Sequence, residues 1–146
     1  MPIFLSDTEK AIITRERNNC DSLVSIFFNA LHNRVYDRVA WGNLLGPNAT
    51  TIWWHSAAEY LSDAAMSYAL APSPELAHWL NIVTLDIIRK PTYDWVGPEF
   101  RDHSEPLTGH LETAHLCWGV SAVYDLAKGA FSSAEQQEIR QALQEK

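Results

Sequence analysis

Apolar residues in this chain recur every three or four positions and nowhere alternate over the length of a strand, which confines it to the all-α class. Side chains at that spacing share one face of a helix, so each run must find another helix to cover it. Ser6-Asp7-Thr8-Glu9 has the spacing of a capping box, in which hydroxyl and carboxylate satisfy backbone N–H groups at a helix start. From there Leu23, Ile26, Phe27, Ala30 and Leu31 carry one face on to about Val39, with Asn18 and Asn19 as candidate interruptions. Gly42, Gly46, Pro47 and Asn48 mark a loop, and Trp53, Ala57, Tyr60, Leu61, Ala64 and Tyr68 then stripe a second helix. Its many alanines suit a helix closely surrounded by others. Ser73, Pro74 and Glu75 supply the cap, first-turn proline and first-turn acid of a third helix, buried through Leu76, Trp79, Leu80, Val83 and Ile87. Glu112 to Ala127 reads as a fourth helix, ended by Lys128-Gly129. Ser132 or Ser133, with Glu135 or Gln136, caps a fifth whose apolar face is Ile139, Ala142 and Leu143. About five main helices in a single domain over residues 1–146 are expected.

With 47% hydrophobic and 20% charged residues the chain can build a core, which rules out disordered and low-complexity classes. Its net charge of −7, with no cluster of Lys or Arg, speaks against nucleic acid as a partner, because phosphate neutralisation needs a basic stripe. No run approaches the roughly 18 apolar residues of a membrane span, and Met1-Pro2-Ile3-Phe4-Leu5 is too short and uncharged for a signal peptide. Cys20 and Cys117 have neither metal-ligand nor disulfide-framework spacing and are expected as two buried thiols. The last residues stop within a helical pattern without a closing glycine, so the expectation is of a segment of a longer protein.

Residues 91–110 contain Pro91, Gly97, Pro98, Pro106 and Gly109 and should form one long irregular connection, of the kind that usually has a task. It holds Tyr93, Trp95, Phe100, Arg101, His103 and His110 among acidic residues. Flat rings pack on the C–H face of a sugar, and a guanidinium binds a carboxylate bidentately, so this set suits a sugar or uronic-acid site. His55 and Glu59, four apart beside Trp54, share a helix face that could meet the same cleft. Two Glu-x-x-His pairs, Glu75/His78 and Glu112/His115, have the spacing of carboxylate-bridged metal bundles, for which Glu59 and Glu16 could complete the ligands. Helix capping and the helix dipole account for these glutamates without a metal, and no metal or other cofactor is expected. Phosphate-loop, nucleophile-elbow and His-Glu-x-x-His motifs are missing from the sequence.

The segment His110-Leu111-Glu112-Thr113-Ala114-His115, Trp118, Ala122-Val123-Tyr124-Asp125-Leu126 and Phe131-Ser132-Ser133-Ala134-Glu135-Gln136 resembles the N-terminal helical region of heparinase II/III-like and alginate-lyase-like polysaccharide lyases. The Ala57-Ala58-Glu59-Tyr60-Leu61 helix, the Pro74-Glu75-Leu76 start and the aromatic loop precede it in the family's order, so the resemblance covers nearly the whole chain. It implies helical hairpins forming part of an (α/α) toroid whose loops at one end hold an acidic polysaccharide or oligosaccharide. The substrate contacts it suggests are Trp54, His55, Glu59, Tyr93, Trp95, Arg101, His103, His110, His115 and Trp118. Such lyases, often periplasmic or secreted, cleave uronic-acid chains by β-elimination. A base takes the C5 proton, the neighbouring carboxylate is neutralised, and a proton goes to the departing oxygen. The family's Asn/His-bearing helix and its β-sandwich are expected beyond Lys146, so no catalytic residue carries over and the segment alone is expected to be inactive. Apolar hairpin faces left open in such a segment imply self-association. The other readings are a stand-alone helical interaction module and, third, a metal-binding bundle.

Overall fold

A computed structural model describes residues 3–42, 53–96 and 111–146, except the side chains of residues 53–55 and 93. Among them are six α-helices: α1 (Asp7–Arg17), α2 (Leu23–Val39), α3 (Trp53–Leu70), α4 (Pro74–Ile88), α5 (Leu111–Leu126) and α6 (Ser133–Glu145). Two 3-10 turns, Thr92–Trp95 and Lys128–Ala130, follow α4 and α5, and no described residue is in a strand. The all-α class is therefore established. The count is six rather than five because the first periodic run divides at the asparagines. The Asn18 N–H caps α1 on the carbonyls of Arg15 and Glu16. The Ser22 hydroxyl then donates to the Glu16 carbonyl at 2.7 Å and accepts the Ser25 N–H at 3.1 Å, closing one helix and starting the next. Connection 91–110 is also not irregular from its first residue, since its opening residues wind into the first 3-10 turn.

Local chemistry fixes the helix starts. Ser6 and Glu9 form a reciprocal capping box, as do Ser132 and Glu135, while the Ser73 hydroxyl accepts the Leu76 N–H beside Pro74. Hydrogen bonds from Ser6 hold the Glu9 carboxyl below its ordinary value, and those from Ser132 do the same for Glu135.

The core lies around α3. Ala57, Ala58, Leu61, Ala64, Ala65 and Ser67 are buried on it, and of its described side chains only Glu59 is exposed. Its widest interface is with α5, where the two backbones nearly touch. A Cβ built on Gly119 would lie 2.9 Å from the Ala58 Cα and 3.3 Å from its carbonyl oxygen. Ten residues further on, Gly129 faces Tyr68, itself ten residues past Ala58, so α3 and α5 run parallel. α4 and α6 are parallel too. Asn81 donates to the Ala130 carbonyl at 3.4 Å, and eight residues on in both strands of chain Arg89 forks Glu138 at 2.7 and 3.0 Å. Two helical hairpins, α3–α4 and α5–α6, therefore stack in the same orientation, odd helix on odd and even on even.

This stacking gives the molecule two distinct ends. α3 and α5 begin, and α4 finishes, at one end, which we call the entry end, while α2 closes beside the second and third turns of α3. Arg38 near the close of α2 reaches Glu59 in the second turn of α3, and Trp95 after α4 accepts a hydrogen bond from Thr113 in the first turn of α5. Leu70, Ser73 and Leu126 mark the opposite end.

Replacing Gly119 by Ala gains up to about 1 kcal/mol of helix propensity. The new Cβ meets backbone rather than a movable side chain, so parting the helices outweighs that gain. Gly119→Ala is expected to destabilise the chain by roughly 1–3 kcal/mol in thermal melts, whereas Gly129→Ala, which meets only the Tyr68 hydroxyl end at 3.1 Å, should cost less.

Candidate functional site

Parallel stacking places six of the sequence-selected residues toward one end of the bundle. Trp54 and His55 lie in the first turn of α3, Glu59 in its second, Tyr93 and Trp95 in the turn after α4, and His115 in the second turn of α5. Arg101, His103 and His110 lie outside the described residues, as do the side chains of Trp54, His55 and Tyr93.

Where side chains are described, their surroundings decide what they can do. Glu59 is 62% exposed, and its Oε1 accepts from Arg38 Nη2 at 3.0 Å. Arg38 is buried, and its other arm meets Asp63 Oδ2 at 2.8 Å. Its guanidinium carbon sits 3.7 Å over the Tyr60 ring, whose other neighbour is Trp41 at 6.1 Å. Arg34 forks the same Asp63 carboxylate at 2.9 and 3.0 Å. Two arginines and two carboxylates thus form a charge-balanced clamp between α2 and α3, with Glu59 at its outer rim. Sequence reasoning missed Arg34, Arg38 and Asp63. The signal was present: Arg34/Arg38 and Glu59/Asp63 are both four apart, giving opposite charges on faces that can meet.

Trp95 corrects an expectation. It is wholly buried, its indole N–H donates to the Ile87 carbonyl at 3.1 Å, and its own carbonyl accepts from Thr113 Oγ1 at 3.1 Å. An indole sealed between the end of α4 and the start of α5 pins the entry end together and has no face for a sugar. His115 is half-buried one turn after buried Glu112, on the side of α5 turned toward the core. Trp118 is 56% exposed, but its ring meets Phe4 edge-on at 5.0 Å. That contact belongs to an N-terminal strap in which Asp125 accepts the N–H groups of Ile3 and Phe4 at 2.9 and 3.0 Å. Asp125 therefore anchors the chain start, while its neighbour Tyr124 carries Lys128 over its ring at 4.8 Å.

The bundle-metal arrangement does not assemble among the described residues. Glu75 and His78 are exposed, Glu16 pairs with Arg15, and no group of three His, Cys, Asp or Glu comes together. The thiols also differ from expectation. Cys20 is exposed in the turn between α1 and α2, while Cys117 is half-buried and its thiol is pushed up by burial. Among the described helices none is long and apolar enough to cross a membrane.

Comparison of the chain with protein-family models, with curated proteins and with solved structures finds no match.

The clamp makes a graded prediction. Asp63→Ala leaves the buried Arg38 with only its rim partner, and is expected to destabilise the chain by about 3 kcal/mol. Glu59→Gln at the exposed rim should change stability by less than about 1 kcal/mol. Urea denaturation of the two variants measures both.

Proposed function

We propose that the entry end contributes to a cleft for an acidic polysaccharide or oligosaccharide, in a chain built like the N-terminal part of an (α/α) toroid polysaccharide lyase. The observation that carries this reading is that the first turn of α3, the start of α5 and the turn after α4, which hold Trp54, His55, His115 and Tyr93, lie at one end of stacked parallel hairpins. α3 and α5 begin there and α4 ends there. Odd helices parallel to odd and even to even is also how successive hairpins lie in an (α/α) toroid, so the fold supports the reading beside the sequence resemblance.

In this proposal the residues bind rather than catalyse. Arg101 neutralises a uronate carboxylate through two parallel N–H···O bonds. Tyr93 and Trp54 offer rings to the sugar faces, and His55, His103 and His110 donate to hydroxyls. Trp95 and the Arg38 clamp hold the helix ends that present these groups. β-Elimination belongs to a complete lyase of this kind.

A second reading, a helical protein-interaction module, is favoured by one observation. Leu23, Ile26 and Phe27 are 70%, 57% and 72% exposed on a single face of α2.

Calorimetric titration with alginate, heparan and chondroitin oligosaccharides separates the two. The carbohydrate reading expects saturable binding to at least one of them, reduced roughly tenfold or more by Arg101→Ala with an unchanged melting temperature. Affinity unmoved by Arg101→Ala, or no binding by the folded chain at about millimolar ligand, overturns it.

A further inference from the structure

The two carboxylates of the α2–α3 clamp are held very differently. Asp63 is committed to both arginines: Arg34 forks it through Nε and Nη2, and Arg38 Nη1 shares the Oδ2 that Arg34 Nε already holds. Glu59 supplies the second negative charge, and among the described residues one bond holds it, from Arg38 Nη2. An ion pair whose carboxylate side chain is 62% exposed gains little, and keeping Glu59 there costs it side-chain freedom. Arg38 cannot follow Glu59 outward, because its guanidinium is buried and stacked on the Tyr60 ring. With Glu59 turned away, the clamp is left with one excess positive charge and a fixed guanidinium arm facing the rim. Trp41, just past the close of α2, stands beside it. Its backbone N–H donates to the Arg38 carbonyl at 3.0 Å, and its 40% exposed indole lies against the same Tyr60 ring.

We propose that Arg38, Glu59 and Trp41 form a carboxylate-exchange subsite for a uronate residue. The sugar carboxylate replaces that of Glu59 on Arg38 Nη2, and the sugar ring packs its C–H face on the Trp41 indole. This subsite rests on the carbohydrate reading of the entry end and adds to it the group that receives a uronate charge. Arg38 and Trp41 border one aromatic ring, which puts an anion donor and a stacking surface within reach of a single sugar. In the free chain Glu59 acts as a placeholder that keeps the buried guanidinium neutralised. A neutral sugar brings no charge to exchange for it, so the subsite selects acidic residues.

Calorimetric titration with an alginate oligosaccharide, in which every residue is a uronate, and with the same oligosaccharide after its carboxylates are reduced to alcohols, tests the exchange. Glu59→Gln keeps the shape of the rim and removes the competing charge. It should tighten alginate binding about two- to fivefold and leave binding of the reduced oligosaccharide unmoved. A Glu59 that supported the fold or bonded sugar hydroxyls would give weaker binding on the same substitution. Trp41→Ala should weaken alginate binding about three- to tenfold at an unchanged melting temperature. Alginate binding that Arg101→Ala weakens but Glu59→Gln fails to tighten overturns the exchange and leaves the carbohydrate reading standing. Absence of alginate binding by both the parent and Glu59→Gln overturns the exchange as well, and failure with heparan and chondroitin oligosaccharides too overturns the carbohydrate reading with it.

Discussion

Everything else in this molecule is arranged around the approach of α5 to α3. Helices normally pack with axes 8–10 Å apart, held off by their side chains. Here Gly119 presents no side chain at all, and Ala57, Ala58, Ala64 and Ala65 present only methyl groups. Backbone therefore comes close to backbone, and the larger residues at the margins, Leu61, Leu116, Val120 and Val123, pack around the contact without solvent access. Close apposition over this length leaves little freedom to slide or rotate, so the direction of α5 relative to α3 is set there. Once the two are parallel, α4 must return antiparallel to both, and α6 repeats α4.

From that geometry the two ends acquire different characters. At the entry end, polar and aromatic groups are tied down. Arg38 is held between Asp63, Glu59 and the Tyr60 ring, and Trp95 is sealed by Ile87 and Thr113. These are costly groups to bury, and each has its partners, which makes the helix ends rigid supports for the connections they carry. At the other end α1 crosses toward the close of α3, where Arg17 donates to the Leu70 carbonyl and covers the Phe28 ring. The stripe of Leu23, Ile26 and Phe27 on α2 nevertheless stays exposed.

Much of this fold was legible in the sequence because helix starts are local chemistry. Ser6 with Glu9, Ser73 with Pro74, and Ser132 with Glu135 each announced a helix that the structure contains. The alanines of α3 told correctly of a crowded central helix. Periodicity was less informative about which way a face turns. On α4 the stripe Leu76, Trp79, Leu80, Val83 and Ile87 is buried, yet on α2 an equally regular stripe is exposed. A helical period says that a face exists, and only tertiary packing says what covers it. The same limit applies to the site. Trp95 looked like a ligand platform because aromatic residues in connections often are, but its indole N–H found a carbonyl in the helix it follows. The Arg34, Arg38 and Asp63 clamp required two helices to be placed side by side before its charges could be paired.

Amide chemical-shift mapping of the isotope-labelled chain during titration with an acidic oligosaccharide reads both ends in one experiment. Perturbations concentrated in the first turns of α3 and α5 and in the turn after α4, with the α2 stripe unmoved, are what the division between the ends predicts. Perturbations centred on Leu23 to Leu31, with the entry end silent, would contradict it.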